Sequence, residues 1–397
     1  MTDLQVGIGD ALGTDYFFIR DQLTADQLGY LTRARQFVDD EVLPTINEYW
    51  DAAQFPWPMV EKLGAAGLVG DGIEGYGCPA MDPLSAGLVT MELSRGDGSL
   101  GTFVGVQAGL AMRAIAYCGS EVQKRRWLPP MARLEKIGAF ALTEPDHGSD
   151  SVALETTARR DGDGWVLDGA KKWIGNGSIA DVVVVWARDT EDGQVKGFLV
   201  EKGTPGYDAR VIERKASLRA VWQAEIALDG VRVDEADRLP GARSFKDTGR
   251  VLASTRSSCA WMALGHAVAG FEAALTYAHR RRQFGRTLAH SQIIQQRLVR
   301  MLADVTAMQL YCLQIARLAE AGKLSDTLAG LAKLHNTSKA RTVLAEARDL
   351  LGGNGILLDF HVMRHMADIE SVHTFEGTET MQTLIVGRDI TGVGAFT

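Results

Sequence analysis

Between about residue 138 and residue 243 the chain reads as short strands, and on both sides of that stretch it reads as helix. Val182-Val183-Val184-Val185-Trp186 is a continuous run of β-branched residues, and residues 197–200 and 224–228 make two further strand-like runs. Asp161-Gly162-Asp163-Gly164 is a hairpin signal between Thr157-Ala158-Arg159 and Trp165-Val166-Leu167. Strands this short and closely spaced predict a small antiparallel sheet or barrel. No Gly-x-Gly-x-x-Gly follows a strand, so nothing supports a dinucleotide-binding doubly wound sheet.

The flanks carry helical periodicity. After the Thr24 start signal, apolar positions recur from Leu28 to Leu43, predicting helix to about Trp50. Pro56 and Pro58 open a helix over 59–66, and others are expected over 83–93 and over the small, apolar residues 99–117. Gly119-Ser120-Glu121 restarts a helix that Pro129-Pro130 is expected to end. Beyond Asp247, long helices are expected over 251–281, 291–321 and 325–351, then a shorter one to about Met366 and a last one after Gly377. The expected architecture is mainly α with a β insert: an N-terminal helical domain (1–137), a β-barrel-like domain (138–243) and a C-terminal four-helix bundle (244–397).

Composition narrows the function classes. The 397 residues are 46% hydrophobic with net charge −8 and no basic block, which gives no basis for nucleic-acid or anionic-membrane binding. The four cysteines form no CxxC pair and the eight histidines show no ligand spacing, arguing against disulfides and against a protein-bound metal. Met1-Thr2-Asp3-Leu4 does not resemble a signal peptide, no apolar stretch is read as membrane-spanning, and Ala395-Phe396-Thr397 is not a peroxisomal address. A cytoplasmic protein is expected. Residues 1–20 read as a loose lead-in.

Five stretches can carry chemistry. In His373-Thr374-Phe375-Glu376-Gly377-Thr378-Glu379 one carboxylate stands between an aromatic and a glycine, just before a helix start; it can be a base or an ordinary acidic helix entry. Leu142-Thr143-Glu144-Pro145-Asp146-His147-Gly148-Ser149-Asp150 leaves a strand with a hydroxyl and turn amides suited to the edge of a flat heterocycle, or is simply a polar strand exit. Trp173-Ile174-Gly175-Asn176 sets a ring beside a residue without a side chain, for a planar ligand or for the core. Arginines 280–282 with Phe284-Gly285 and Gln292 suit a phosphate and a base, or satisfy a helix C-terminus. Leu351-Gly352-Gly353-Asn354-Gly355 is a phosphate-friendly turn or a glycine cap.

Taken in order, these motifs resemble the acyl-CoA dehydrogenase family from about residue 25 to Thr397. Arg348-Asp349-Leu350-Leu351-Gly352, His361-Val362-x-Arg364 and Ile390-Thr391-Gly392 are similar to the glutaryl-CoA dehydrogenase and short-chain acyl-CoA oxidase branch. Ser244-Phe245-x-Asp247-Thr248 and the segment 251–256 point more to its oxidase side. The resemblance implies FAD held noncovalently in a homotetramer, with an acyl-CoA substrate. Leu142 and Thr143 would meet the isoalloxazine edge, Trp173 would cover the ring, and Gly175 would lie near flavin N5. Arg281, Phe284 and Gln292 would reach the pyrophosphate and adenosine of a neighbouring subunit's cofactor, with Asp349, Gly352 and Gly353 in the same set and Thr378 beside the phosphates. Ser149 would lie near the CoA arm, and Gly101, Gly105 and Gly377 beside the acyl group.

Glu376 matches the family's catalytic base, which takes the α-proton while the β-hydrogen leaves as hydride to flavin N5. Some relatives carry the base near residue 255; here Thr255 leaves Glu376 as the sole candidate, and Arg256 reads as an ordering or pairing residue. Gly101 and Gly105 stand where glutaryl-CoA enzymes place an arginine and a serine for the distal carboxylate, so an uncharged acyl chain is expected. Gly175 replaces a common threonine, a feature shared with similar oxidases. Electrons are expected to pass to an electron-transfer flavoprotein; oxygen is the alternative acceptor. A flavin monooxygenase or a non-catalytic CoA-binding subunit fits less well, because Glu376 and Arg281 are both retained.

Overall fold

The computed structural model describes Asp15 and residues 17–395. Most of the expected lead-in, the Met1–Leu4 stretch and the final Phe396-Thr397 lie outside the described residues. The first α-helices among the described residues are α1 (Ala25–Phe37), α2 (Ile46–Ala52) and α3 (Trp57–Ala65), with a π turn at Val38–Val42. The Thr24 and Gln27 side chains cap α1 reciprocally, a device worth about 1 kcal/mol. Then follow α4 (Pro83–Gly96), α5 (Gly98–Val104), a π stretch Gly105–Met112, α6 (Arg113–Cys118) and α7 (Glu121–Ala132).

Two expectations fail here. The helical run Gly98–Cys118 has 21 residues at mean hydropathy 1.2, long and apolar enough to cross a membrane by length and composition, and 72% of its apolar window is buried in the protein. The π stretch keeps α5 and α6 continuous, and the small residues that dilute the apolar pattern serve close packing instead. Pro129 and Pro130 lie inside α7 and do not end it. Their missing N–H groups free only carbonyls of Arg125 and Arg126, both exposed to solvent.

The β unit comprises β1 (Gly138–Ala141), β2 (Thr157–Asp161), β3 (Gly164–Gly175), β4 (Val182–Asp189), β5 (Val195–Glu201), β6 (Tyr207–Val211) and β7 (Gln223–Asp234). The predicted hairpin forms, with Asp161 opposite Gly164. The sheet is mixed and not antiparallel as expected: β1 and β2 both run parallel to β4, while β5 covers its other edge. Long excursions separate β1 and β2 from β4, and only a tight turn forces reversal.

The C-terminal part contains α8 (Phe245–Arg280), the two-strand ribbon β8 (Arg282–Gln283) and β9 (Arg286–Thr287), α9 (Gln292–Glu320), α10 (Asp326–Leu350), α11 (Val362–Thr374) and α12 (Glu379–Thr391). The expected end near Met366 is wrong: α11 starts at Val362 after left-handed His361 and runs to Thr374, because Asp368, Ile369 and Val372 continue its buried face.

Helix α4 joins the N-terminal helices to the bundle. Gly87 meets Trp261 and Gly265 meets the Met91 carbonyl so closely that an added Cβ would lie 2.2 Å away in each case. Helices α4 and α8 therefore touch almost backbone to backbone. Burying side chains such as Leu264 and Phe271 in the core these helices share contributes roughly 1.5–3 kcal/mol each.

Candidate active site

Helix α11 ends where the Phe375 amide donates to Ser371 O at 2.9 Å, and the Phe375 ring packs against both apolar cores. Glu376 and Gly377 follow with φ of +55° and +87°, two consecutive left-handed residues that turn the chain sharply into α12. A glycine tolerates this; a glutamate pays roughly 1 kcal/mol or more. Thr378 then caps α12, its hydroxyl accepting from Met381 N at 3.3 Å.

The turn is held from outside. Gln382 Nε2 donates to the carbonyls of Glu376 (3.0 Å) and Gly377 (3.2 Å), and Lys333 Nζ donates to the Gly377 carbonyl and to His373 O at 3.4 Å. Lys333 and Gln382 are both buried, and burial lowers the Lys333 pKa. The sequence reading named neither residue. A lysine inside the apolar run Leu331-Ala332-Lys333-Leu334 is the one signal that could have drawn attention.

The Glu376 carboxylate accepts from the Thr255 hydroxyl of α8 at 2.9 Å. Withdrawal from water raises its pKa, while the Thr255 bond and the nearby Arg256 and Lys333 cations pull it back. Arg256 Nη1 lies 3.4 Å from Asp326 Oδ2, the pairing role expected of it.

One face of the helical run 98–118 meets Thr255, the hydroxyl partner of this carboxylate. A Cβ on Gly109 would lie 3.3 Å from Thr255 Cγ2, and Val104, Gly105, Val106, Gly109 and Leu110 are the half-buried positions between 98 and 112. Gly105 has open space beside it. Gly101 does not: it is buried against α4, where a Cβ would meet Ser94 Oγ at 2.4 Å. The run's lone cation, Arg113, is tied to Asp71 at 2.8 Å.

The β unit reaches the same face. A register shift in β3 between Lys171 and Ile174 gives Trp173 a φ of +64° and leaves it 55% exposed. A bulge commonly re-aims a side chain in this way. Gly175 is buried, and a Cβ there would come within 2.8 Å of Val106 Cγ2. Thr143 is half-buried, and its carbonyl accepts from Lys172 N at 2.9 Å, while Leu142 is buried and Ser149 exposed in the loop beyond.

Buried Glu144 anchors that loop, accepting from Lys171 Nζ (2.8 Å), Glu155 N (2.6 Å), Thr156 N (2.9 Å) and the Thr156 hydroxyl. At Glu144 these donors outweigh burial and take its pKa down to about 2; at Lys171 burial outweighs the pairing and takes it down to about 8.

A second groove of about 370 Å³ collects Arg281, Gln283, Gly352, Gly353, Asn354 and Tyr277. Asn354 Nδ2 donates to the Tyr277 hydroxyl at 3.0 Å. Gln292 and Phe284 lie outside its lining, both exposed, and Phe284 is 100% exposed at the tip of the β8–β9 ribbon. Asp349 turns away to Arg297 at 2.8 Å.

Three sequence profiles match the chain: Acyl-CoA dehydrogenase, N-terminal domain over residues 24–135, middle domain over 139–231 and C-terminal domain over 245–391. The chain belongs to the acyl-CoA dehydrogenase family. Among its relatives, the short-chain specific acyl-CoA dehydrogenase of Bos taurus mitochondria is 34% identical over 89% of this chain and 87% of its own. A solved glutaryl-CoA dehydrogenase from Mycobacterium smegmatis is 42% identical, TM-score 0.93, covering 96% of this chain and 98% of that one. A glutaryl-CoA dehydrogenase from the same organism in complex with FADH2 is 37% identical, TM-score 0.94, covering 98% and 100%.

Acyl-CoA dehydrogenases are FAD-dependent, and the residues present here fit that cofactor. Trp173 and Phe284 are large apolar rings left open to solvent, and Arg281 stands beside the exposed backbone of Gly352 and Gly353. A flat heterocycle with a pyrophosphate is the chemistry that uses both.

Proposed function

We propose that this enzyme dehydrogenates an uncharged acyl-CoA between its α and β carbons, with Glu376 as the base. The observation that carries this is a row of contacts: Gly175 on Val106, Gly109 on Thr255, and Thr255 on Glu376. The strand bearing Trp173 and the carboxylate therefore border one helical face. Bound FAD supplies the acceptor for the hydride that leaves the β-carbon.

Glu376 takes the α-proton. Its raised pKa brings a carboxylate nearer to working pH, which suits a general base. The thioester carbonyl must be polarised as negative charge develops, and the Glu376 amide makes no hydrogen bond among the described residues, so it is available as donor. Phe375, against both cores, fixes the approach of the loop.

An uncharged chain is favoured because the one cation on the lining helix, Arg113, is already paired; a distal carboxylate buried there would stand uncompensated. Electrons pass to an electron-transfer flavoprotein in this reading. Gly175 is one of the features shared with oxidases, beside the 244–248 and 251–256 segments, and the Val106 contact gives that glycine a packing role. Phe284, fully exposed on its ribbon, and Ile293, 70% exposed, suit cover by a second copy of the chain, in keeping with a homotetramer whose subunits share cofactor sites.

The test is rapid mixing with acyl-CoAs of graded length and with glutaryl-CoA. Uncharged thioesters should bleach the flavin, glutaryl-CoA should be poorer by on the order of a hundredfold, and Glu376→Gln should bind but slow bleaching by roughly 10²–10⁴. Rapid bleaching by Glu376→Gln removes the base assignment. Stoichiometric peroxide under air removes the flavoprotein acceptor.

A further inference from the structure

Glu376 and Gly377 occupy left-handed backbone in succession, and left to itself a peptide would relax out of it. The Glu376 and Gly377 carbonyls are the acceptors of two buried side chains from different helices, Lys333 on α10 and Gln382 on α12. Both Gln382 acceptors are carbonyls, so the amide must present its nitrogen to the turn. A Cβ on Gly377 would lie 2.4 Å from Gln382 Nε2, so the turn sits directly on the clamp. Lys333 spends its charge on carbonyls alone, with no carboxylate in ion-pair range among the described residues. A buried ammonium held this way is costly unless it does something a neutral residue could not.

We propose that Lys333 and Gln382 are positioning residues for Glu376, a two-point clamp that holds the left-handed turn so that the carboxylate meets Thr255 and the Glu376 amide stays free of internal partners. The proposal rests on the reading of Glu376 as base. Both clamp residues act through the backbone, and neither touches the carboxylate. Lys333 has a second effect, since its charge favours the ionised form of Glu376. The groups facing that carboxylate are Thr255, Arg256 and Cys259 of α8 and Lys333 of α10, with Glu379 of α12 next to Lys333.

The test uses the FAD-loaded enzyme with Lys333→Met and Gln382→Met, each close in length and lacking the donor. Hydrogen exchange of the amides of residues 375, 381 and 382, which in the parent bond to Ser371 O, Thr378 Oγ1 and Thr378 O on either side of the turn, should accelerate by about tenfold or more while those of α8 stay unchanged. The turnover number should fall by roughly a hundredfold with KM within about threefold, the signature of a misaimed base. The acidic limb of the rate profile should move to higher pH in Lys333→Met, which loses the cation, and stay in place in Gln382→Met. Should Lys333→Met not fold, Gln382→Met decides on exchange and turnover alone. Wild-type exchange at residues 375, 381 and 382 with turnover within twofold overturns the clamp. The exchange result does not depend on catalysis, so rapid bleaching by Glu376→Gln would remove the base assignment and leave the clamp to stand or fall separately.

Discussion

The Thr255 hydroxyl lies 2.9 Å from Glu376 Oε2 and 3.0 Å from the Leu252 carbonyl, two acceptors for one proton. With Glu376 ionised the proton serves the carboxylate. Once Glu376 has taken a proton, the hydroxyl can turn to Leu252 and accept from the acid. If Glu376 is the base as proposed, Thr255 is a partner suited to both of its protonation states.

Thr255→Val removes that partner while keeping the shape. The bond stabilises the anion, so its loss raises the Glu376 pKa further. The acidic limb of kcat/KM should move upward, with a fall in kcat at neutral pH of about tenfold. A pH–rate series on both proteins measures it, and a downward move contradicts the assignment.

Gly175→Thr should be poorly tolerated because its Cβ would lie 2.8 Å from Val106 Cγ2. Overpacking of this kind costs about 1–3 kcal/mol. Adding Val106→Ala should restore the melting temperature and flavin content. If Gly175→Thr alone is as stable as the parent, the packing account of this glycine is wrong.

Lys171→Met leaves Glu144 charged and buried without its cation. Such a loss costs about 3–5 kcal/mol. Because Glu144 has a depressed pKa, its contribution is present above the ordinary carboxylate range and is lost as pH falls toward about 2. The variant should therefore show less acid-dependent loss of stability in that window, lower overall stability, and a lower flavin content as the 142–150 loop loosens. Urea unfolding at several pH values and the flavin-to-protein absorbance ratio measure these effects.

Asp368 is buried where three parts of the chain meet, and its Oδ1 accepts from Trp50 Nε1 (3.0 Å) and Leu218 N (2.6 Å). Burial, then the nearby Asp97 charge, raises its pKa to about 7. A raised acid favours the folded state while protonated, so this stability is complete below the usual aspartate range and fades as pH rises through about 7. Asp368→Asn can keep both bonds. Its melting temperature relative to the parent should rise between pH 5 and pH 8, and a constant difference would refute the titration.

The motifs that named the family were legible because each is local. Phe375-Glu376-Gly377-Thr378, Trp173-Ile174-Gly175 and Arg281-x-x-Phe284-Gly285 carry their ring, carboxylate or cation within a few residues, and the α and β periodicities around them marked helix, β insert and bundle. Capping signals such as Thr24 with Gln27 were equally local. What needed the tertiary structure was every fact that depends on which distant surfaces meet. Strand direction beside β4 was decided by a shared edge, and Gly101 was turned to Ser94 by how α5 lies on α4. Thr255 and Glu376 are 121 residues apart, and Lys333 lies 44 residues from the carbonyl it holds. A side chain's chemistry is written in its residue type, but its burial and its partners, which set pKa and conformation, are properties of the packed chain.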